Sequence, residues 1–144
     1  MFSGESEHTL DEKNRIFLPA KYREELGDTV VVVRGTDGQL NVYPQEVWQR
    51  IAENLAGQNQ ARRAVRDITR ILFAKSDCTL DKQGRITLNQ ALLKFANVDS
   101  NVVILGVNDH LEIWSPAQWQ EVNDRLRTAG SDIAEQLAEL GLRL

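Results

Sequence analysis

The chain has 144 residues, 42% of them hydrophobic and 26% charged, which fits one soluble domain of ordinary size or two very small ones. The apolar runs at 29–33 and 102–107 are far too short to span a bilayer, and the start "MFSGESEH" reads as no secretory signal, lacking a basic end and an apolar stretch. Cys78 is the only cysteine, so neither an intrachain disulfide nor a cysteine metal cluster is expected, and the cytosol is favoured. The net charge of −4 is uneven: residues 1–57 carry −4, 58–98 carry +5 and 99–144 carry −5. An acidic protein of this kind can still bind phosphate if its cations share one face.

The first element in chain order is a hairpin, from Thr9-Leu10 through a polar turn to Arg15-Ile16-Phe17-Leu18. Pro19 ends it and opens a short helix over 20–26, stopped by Gly27. A β-branched strand is expected at 30–34, then a turn at "GTDGQ", a strand at 40–43, and a helix admitted by Pro44 that carries Trp48. Residues 60–74 read as a helix. Ala61, Ala64, Val65, Ile68, Ile71 and Leu72 are expected on its buried face, with Arg62, Arg66 and Arg70 on another side.

The hairpin is then written again. "TLDEKNRIFLP" at 9–19 returns as "TLDKQGRITLN" at 79–89, with Asp11/Asp81, Arg15/Arg85, Ile16/Ile86 and Leu18/Leu88 all 70 apart. Beyond a one-residue insertion near 99–101 the offset is 71, pairing Gly35 with Gly106, Leu40 with Leu111, Tyr43 with Trp114 and Trp48 with Trp119. The chain is therefore an internal duplication of a unit of about 45 residues, of mixed α+β class, with several short strands per unit. After it comes an acidic tail in which Ile133, Leu137 and Leu140 form one stripe while Asp132, Glu135 and Glu139 stay wet.

Taken once, Asp-x-x-x-Arg is a turn and its ion pair. Taken twice, it offers two rigid tips whose cations, Lys13 and Arg15 or Lys82 and Arg85, suit phosphates and guanine edges. The arginine stripe at 62, 66 and 70 reads first as a solvated face. Trp48 and Trp119, at matched positions, read as core, and His8 and His110 lack partners at metal-ligand spacing, with His110 read as a turn residue. No catalytic triad order, P-loop or metal motif appears, so no catalytic residue, cofactor or metal is expected.

The segments "MFSG", "LDEKNRIFLPAKYREEL", "NVYPQEVW", "ARRAVRDITRILFAKSDCTLDKQGRITL" and "LEIWSPAQW" resemble, in order and spacing, the MraZ family of bacterial transcriptional regulators, built from two tandem SpoVT/AbrB-like units. The likeness runs from residue 1 to about 119. It implies a compact pseudo-twofold module: a first unit at 5–47, a connecting helix at 58–75, a second unit at 76–119, and an amphipathic acidic tail at 126–144. It further implies a cytoplasmic, nucleoid-associated homo-oligomer, ring-like, that binds double-stranded DNA at direct repeats upstream of the division and cell-wall gene cluster, usually as a repressor. No membrane or small-molecule substrate is implied. The family signature Asp-x-x-Gly-Arg stands here as Asp81, Gly84 and Arg85, whereas Asn14 replaces the glycine of the first copy. Asparagine tolerates a left-handed backbone, so the turn is expected to survive. By this resemblance Arg15 and Arg85 would contact DNA, Lys13 and Lys82 phosphates, and Asp11 and Asp81 would shape the turns. The alternative is an oligomeric protein-interaction or antitoxin-like module in which DNA contact is secondary.

Overall fold

The computed structural model describes residues 1–143; of the acidic tail, Leu144 lies outside the described residues. The first unit comprises β1 (Glu5–Thr9), β2 (Arg15–Phe17), a 3-10 turn (Ala20–Tyr22) running into α1 (Arg23–Leu26), β3 (Thr29–Arg34), β4 (Leu40–Pro44), α2 (Gln45–Ala56) and α3 (Arg63–Phe73). The second repeats it with β5 (Ser76–Thr79), β6 (Arg85–Thr87), α4 (Gln90–Phe95), β7 (Asn101–Val107), β8 (His110–Trp114), α5 (Pro116–Thr128) and α6 (Gly130–Glu139). The class is mixed α+β, and no described helix is long and apolar enough to cross a membrane.

The local hairpin expected from the sequence does not form. β1 does not pair with β2: it crosses to β7 of the second unit, and β5 crosses to β3 of the first. The result is an antiparallel six-stranded sheet ordered β1-β7-β8-β4-β3-β5. β2 and β6 meet each other in a separate two-stranded sheet, with Ile16 opposite Ile86. The reason is burial. A two-strand hairpin alone is marginal in water, whereas exchange gives each short strand a partner backed by a core.

Alternation in β2 and β6 sends Ile16, Leu18, Ile86 and Leu88 inward, all at most 1% exposed. They pack with Val30, Val32, Leu40, Val42, Ile104 and Ile113 of the larger sheet. Val31 and Val33 on the opposite face are buried as well, where α2 and α3 cover β3. That explains an unbroken valine run: a strand covered on both faces has no wet side to alternate with.

Other expectations are corrected by packing. Residues 60–74 are not one helix with a buried face. α3 starts at Arg63, only Leu72 on it is buried, and Ala61, Ala64 and Ile68 are exposed. Trp48 and Trp119 are half-buried rather than core; their indole N–H groups donate to Leu72 O at 3.1 Å and Glu5 Oε1 at 2.9 Å. The fully enclosed tryptophan is Trp114, whose N–H reaches Glu112 at 2.9 Å.

His110 opens β8 rather than sitting in a turn. Its Nδ1 lies 2.8 Å from Asp109 and its Nε2 3.4 Å from Glu112, with the Tyr43 ring alongside at 5.2 Å. Glu112 also takes the Gln39 side-chain N–H from β4's approach, so this polar cluster straddles the β4–β8 pairing that joins the units. Burial disfavours the charged imidazole, but bonds from Glu112 and Asp109 outweigh it and raise His110 above its ordinary range. Burial likewise opposes the Glu112 charge, yet His110 and Trp114 hold its carboxyl below its ordinary range.

Because each unit completes its sheet with the other's strand, unfolding is expected to be a single transition in which calorimetric and van't Hoff enthalpies agree. Ile86→Ala should lower that transition by roughly 2–5 kcal/mol without splitting it; two resolved transitions would show that the units are independent. A second expectation concerns pH. A raised histidine stabilises fully below its unfolded value of 6.5 and loses that contribution as pH rises through its folded value; a depressed Glu112 contributes above its unfolded 4.5. The Tm deficit of His110→Gln should therefore be largest between about pH 5 and 6 and shrink by about pH 8. A pH-independent deficit would contradict it.

Candidate nucleic-acid interface

The two repeated phrases build two near-identical turns. In the first, Asp11 Oδ1 accepts the backbone N–H groups of Lys13 and Arg15, both at 2.9 Å, and Oδ2 takes Arg15 Nε at 2.6 Å. In the second, Asp81 Oδ1 accepts those of Gln83 and Arg85, both at 2.9 Å, and Oδ2 takes Arg85 Nε at 2.8 Å. Backbone bonds Asn14 N–H to Asp11 O and Gly84 N–H to Asp81 O, at 3.0 and 2.9 Å, close the loops. One carboxylate thus folds each loop and aims its arginine. The Arg15 backbone N–H, against a cost from burial and with the guanidinium and Lys13 N–H adding to it, holds Asp11 below the usual carboxylate range. Asp81 is held down likewise by Arg85 and Gln83.

The β2–β6 pairing brings the turns together. Leu18 N–H donates to Gly84 O at 3.0 Å and Leu88 N–H to Asn14 O at 2.9 Å, each bond crossing between units. With isoleucines and leucines inward, the outward face holds Arg15 and Phe17 beside Arg85 and Thr87. Lys13 and Lys82 are exposed at the loop tips. The pair of arginines is not equivalent. Arg85 also approaches Asp11 Oδ2 at 3.7 Å and leans over the Phe17 ring at 5.6 Å. Its side chain is 18% exposed against 31% for Arg15, whose Nη groups take no hydrogen-bond partner among the described residues. The lysines differ too, because Lys82 follows its aspartate directly and Lys13 stands one place later.

Two members of this face were missed in the sequence. Phe17 remains 47% exposed, an apolar platform among cations. Its signal was present: in β2 it alternates with two inward residues and so must face the same way as Arg15. Arg23 gave no such signal. Its Nε donates to Leu18 O at 3.1 Å, and its guanidinium lies across Gly84 of the other unit. Only the fold brings a residue of the first unit's helix over the second unit's turn.

That placement explains Asn14 against Gly84. Both backbones are left-handed, with φ of 58° and 81°. Gly84 is buried, and a Cβ there would run into the Arg23 guanidinium. In the second unit the position matching Arg23 is Leu93, so the second repeat supplies no arginine to cover Asn14. Asn14→Gly is therefore expected to shift stability by only a few tenths of a kcal/mol, while Gly84→Asn should cost at least about 1 kcal/mol and loosen the second turn. Thermal melts check the first effect, and amide exchange at Gln83 and Arg85 the second.

The basic stripe of α3 stands apart from this face. Arg66 Nη1 donates back to Gln60 O and Ala61 O in the loop before α3, Arg70 pairs with Asp67 at 3.1 Å, and Arg62 is exposed. No group of three or more metal-ligating side chains is gathered anywhere among the described residues.

Comparison with known proteins agrees with the duplication. The sequence pattern of a family described as "MraZ protein, putative antitoxin-like" matches twice, over residues 1–71 and 71–140. The chain is 41% identical over 143 residues to the Transcriptional regulator MraZ of Syntrophomonas wolfei, covering 99% of this chain and 100% of that one. It is 40% identical over 141 residues to that of Roseiflexus sp. (strain RS-1), covering 97% and 99%. It is 39% identical over 143 residues to that of Clostridium tetani, covering 99% and 100%. With both repeats matched and relatives of this identity aligned end to end, the chain belongs to the MraZ family.

Proposed function

We propose that the chain is a DNA-binding transcriptional regulator that reads direct repeats upstream of the division and cell-wall gene cluster, as a repressor in the cytoplasm and at the nucleoid. The single observation that carries the DNA reading is the outward face of the β2–β6 sheet, where two turns from two units bring Arg15 and Arg85 onto one surface, diagonal to each other across the strand pair. Arg15 and Arg85 contact the duplex, and Lys13 and Lys82 contact phosphates on either side. Asp11 and Asp81 stay folded into their loops, where they do not repel the backbone of DNA. Holding Arg15 by Nε leaves its terminal nitrogens for paired acceptors, at little further loss of side-chain freedom on binding, whereas Arg85 also has a terminal nitrogen 3.7 Å from Asp11. The names of the relatives support regulation of transcription. A homo-oligomer, ring-like, would present one such face per subunit to successive repeats.

The partner-binding alternative draws on one observation: α6 carries an apolar stripe, and no residue of it is buried. Deleting residues 131–144 separates the readings, since lost partner capture at unchanged DNA affinity would favour the alternative.

The DNA reading is tested by anisotropy titrations of the Arg15→Ala/Arg85→Ala double variant at several salt concentrations. Each lost base contact should cost about 1–3 kcal/mol of affinity, and each lost phosphate contact should flatten the log–log salt slope by about 0.9. An unchanged affinity and slope would overturn the assignment.

A further inference from the structure

The outward face of the β2–β6 sheet holds four side chains: Arg15 stands opposite Thr87, and Phe17 stands opposite Arg85. The pseudo-twofold exchanges Arg15 with Arg85. It exchanges Phe17 with Thr87, so half of the face breaks the symmetry. Phe17 is exposed, while Ile16 and Leu18 on either side of it are fully enclosed. Thr87 fills the matched place in the second unit with a small side chain, so the fold itself does not require a ring there.

The ring's neighbour is Arg85. Leu18 N–H bonds to Gly84 O and Leu88 N–H to Asn14 O, which fixes the alternation of the ladder. Phe17 and Arg85 are therefore a pair without mutual backbone bonds, the kind whose side chains stand closest in an antiparallel sheet. The guanidinium lies 5.6 Å from the ring centroid, and Asp81 holds its Nε at 2.8 Å. An apolar surface and a cation are thus set beside each other before any ligand arrives. A two-stranded ribbon fits the major groove of DNA, where each base pair shows a distinct edge. There an arginine suits the two acceptors of guanine, and an exposed ring suits the 5-methyl group of thymine. At 3.4 Å per base pair, the 5.6 Å between guanidinium and ring spans at most two steps.

We propose that Phe17 is a specificity-determining residue of this face, packing on the 5-methyl group of a thymine within two base pairs of the guanine edge taken by Arg85. The inference rests on the DNA-binding reading above and deepens it, by naming a base that neither arginine reads. Thr87, at the twofold-related place, is shorter and carries a hydroxyl. The two ends of the face therefore differ, and a duplex site read by it has a direction, as direct repeats do.

The test uses full-length protein and a duplex that it selects from a random library, with each thymine replaced in turn by deoxyuridine, which lacks only the methyl group. For wild type, one replacement is expected to weaken binding about 3–5-fold, roughly what burial of one methyl group is worth. That thymine should lie within two base pairs of the guanine whose replacement no longer matters to Arg85→Ala. Phe17→Ser and Phe17→Thr, the second copying the residue that β6 carries at the matched place, should each bind the thymine and deoxyuridine duplexes equally well. Thermal midpoints of both variants check that they fold. A wild type indifferent to every deoxyuridine would overturn the inference and leave the DNA reading standing. So would a discrimination that survives in both variants, which would reduce the ring to a shelf that positions Arg85. A selection that enriches no duplex would defeat the DNA reading, and this inference with it.

Discussion

Neither half of this chain can complete a sheet by itself. β1 is held by β7 and β5 by β3, in matched registers that place Thr9 opposite Asn101 and Thr79 opposite Thr29. The crossing is sealed by twin bonds from Leu10 N–H to Ser100 O at 2.7 Å and from Leu80 N–H to Asp28 O at 2.8 Å. A unit of about 45 residues alone buries too little surface to stand. Exchange turns two marginal units into one core, with the leucines and isoleucines of both phrases at its centre.

The outward face follows from that exchange. Once β1 and β5 have left for the large sheet, β2 and β6 have only each other to pair with, and the inward pull of Ile16, Leu18, Ile86 and Leu88 fixes which side chains face out. The arginines come together because the isoleucines do. The same geometry makes the two tips unequal. Arg23 reaches over Gly84, and Arg85 leans on Phe17 and Asp11, while Arg15 has one tether. A pseudo-twofold molecule thus offers one more restrained arginine and one freer one.

Charge follows a different logic from the core. The basic middle of the chain is divided between two surfaces: Lys82 and Arg85 go to the second repeated turn, while Arg62, Arg63, Arg66 and Arg70 go to α3 and its N-terminal end. The acidic C-terminal third supplies both the His110 cluster at the seam of the units and the flank of α6. An overall charge of −4 conceals this sorting.

The duplication, the α+β class and the positions of β2, β3, β4, β6 and β8 were legible in the sequence, because periodicity and repeated turn residues are local, whereas β1 and β5 were read only at their last residues. So was each Asp-x-x-x-Arg loop: an aspartate taking two backbone N–H groups and an arginine four residues on needs nothing from elsewhere. Strand pairing was not local. The phrase that reads as a hairpin has its strands in two sheets, since partner choice depends on which surfaces can be buried together, and a single strand's pattern does not contain that. For the same reason Phe17, Arg23 and His110 acquired their surroundings only in the folded chain, and the buried face expected on residues 60–74 proved half open. By itself the sequence determined what each short segment is; the tertiary structure decided which segments meet, because apolar burial is settled between segments far apart in the chain.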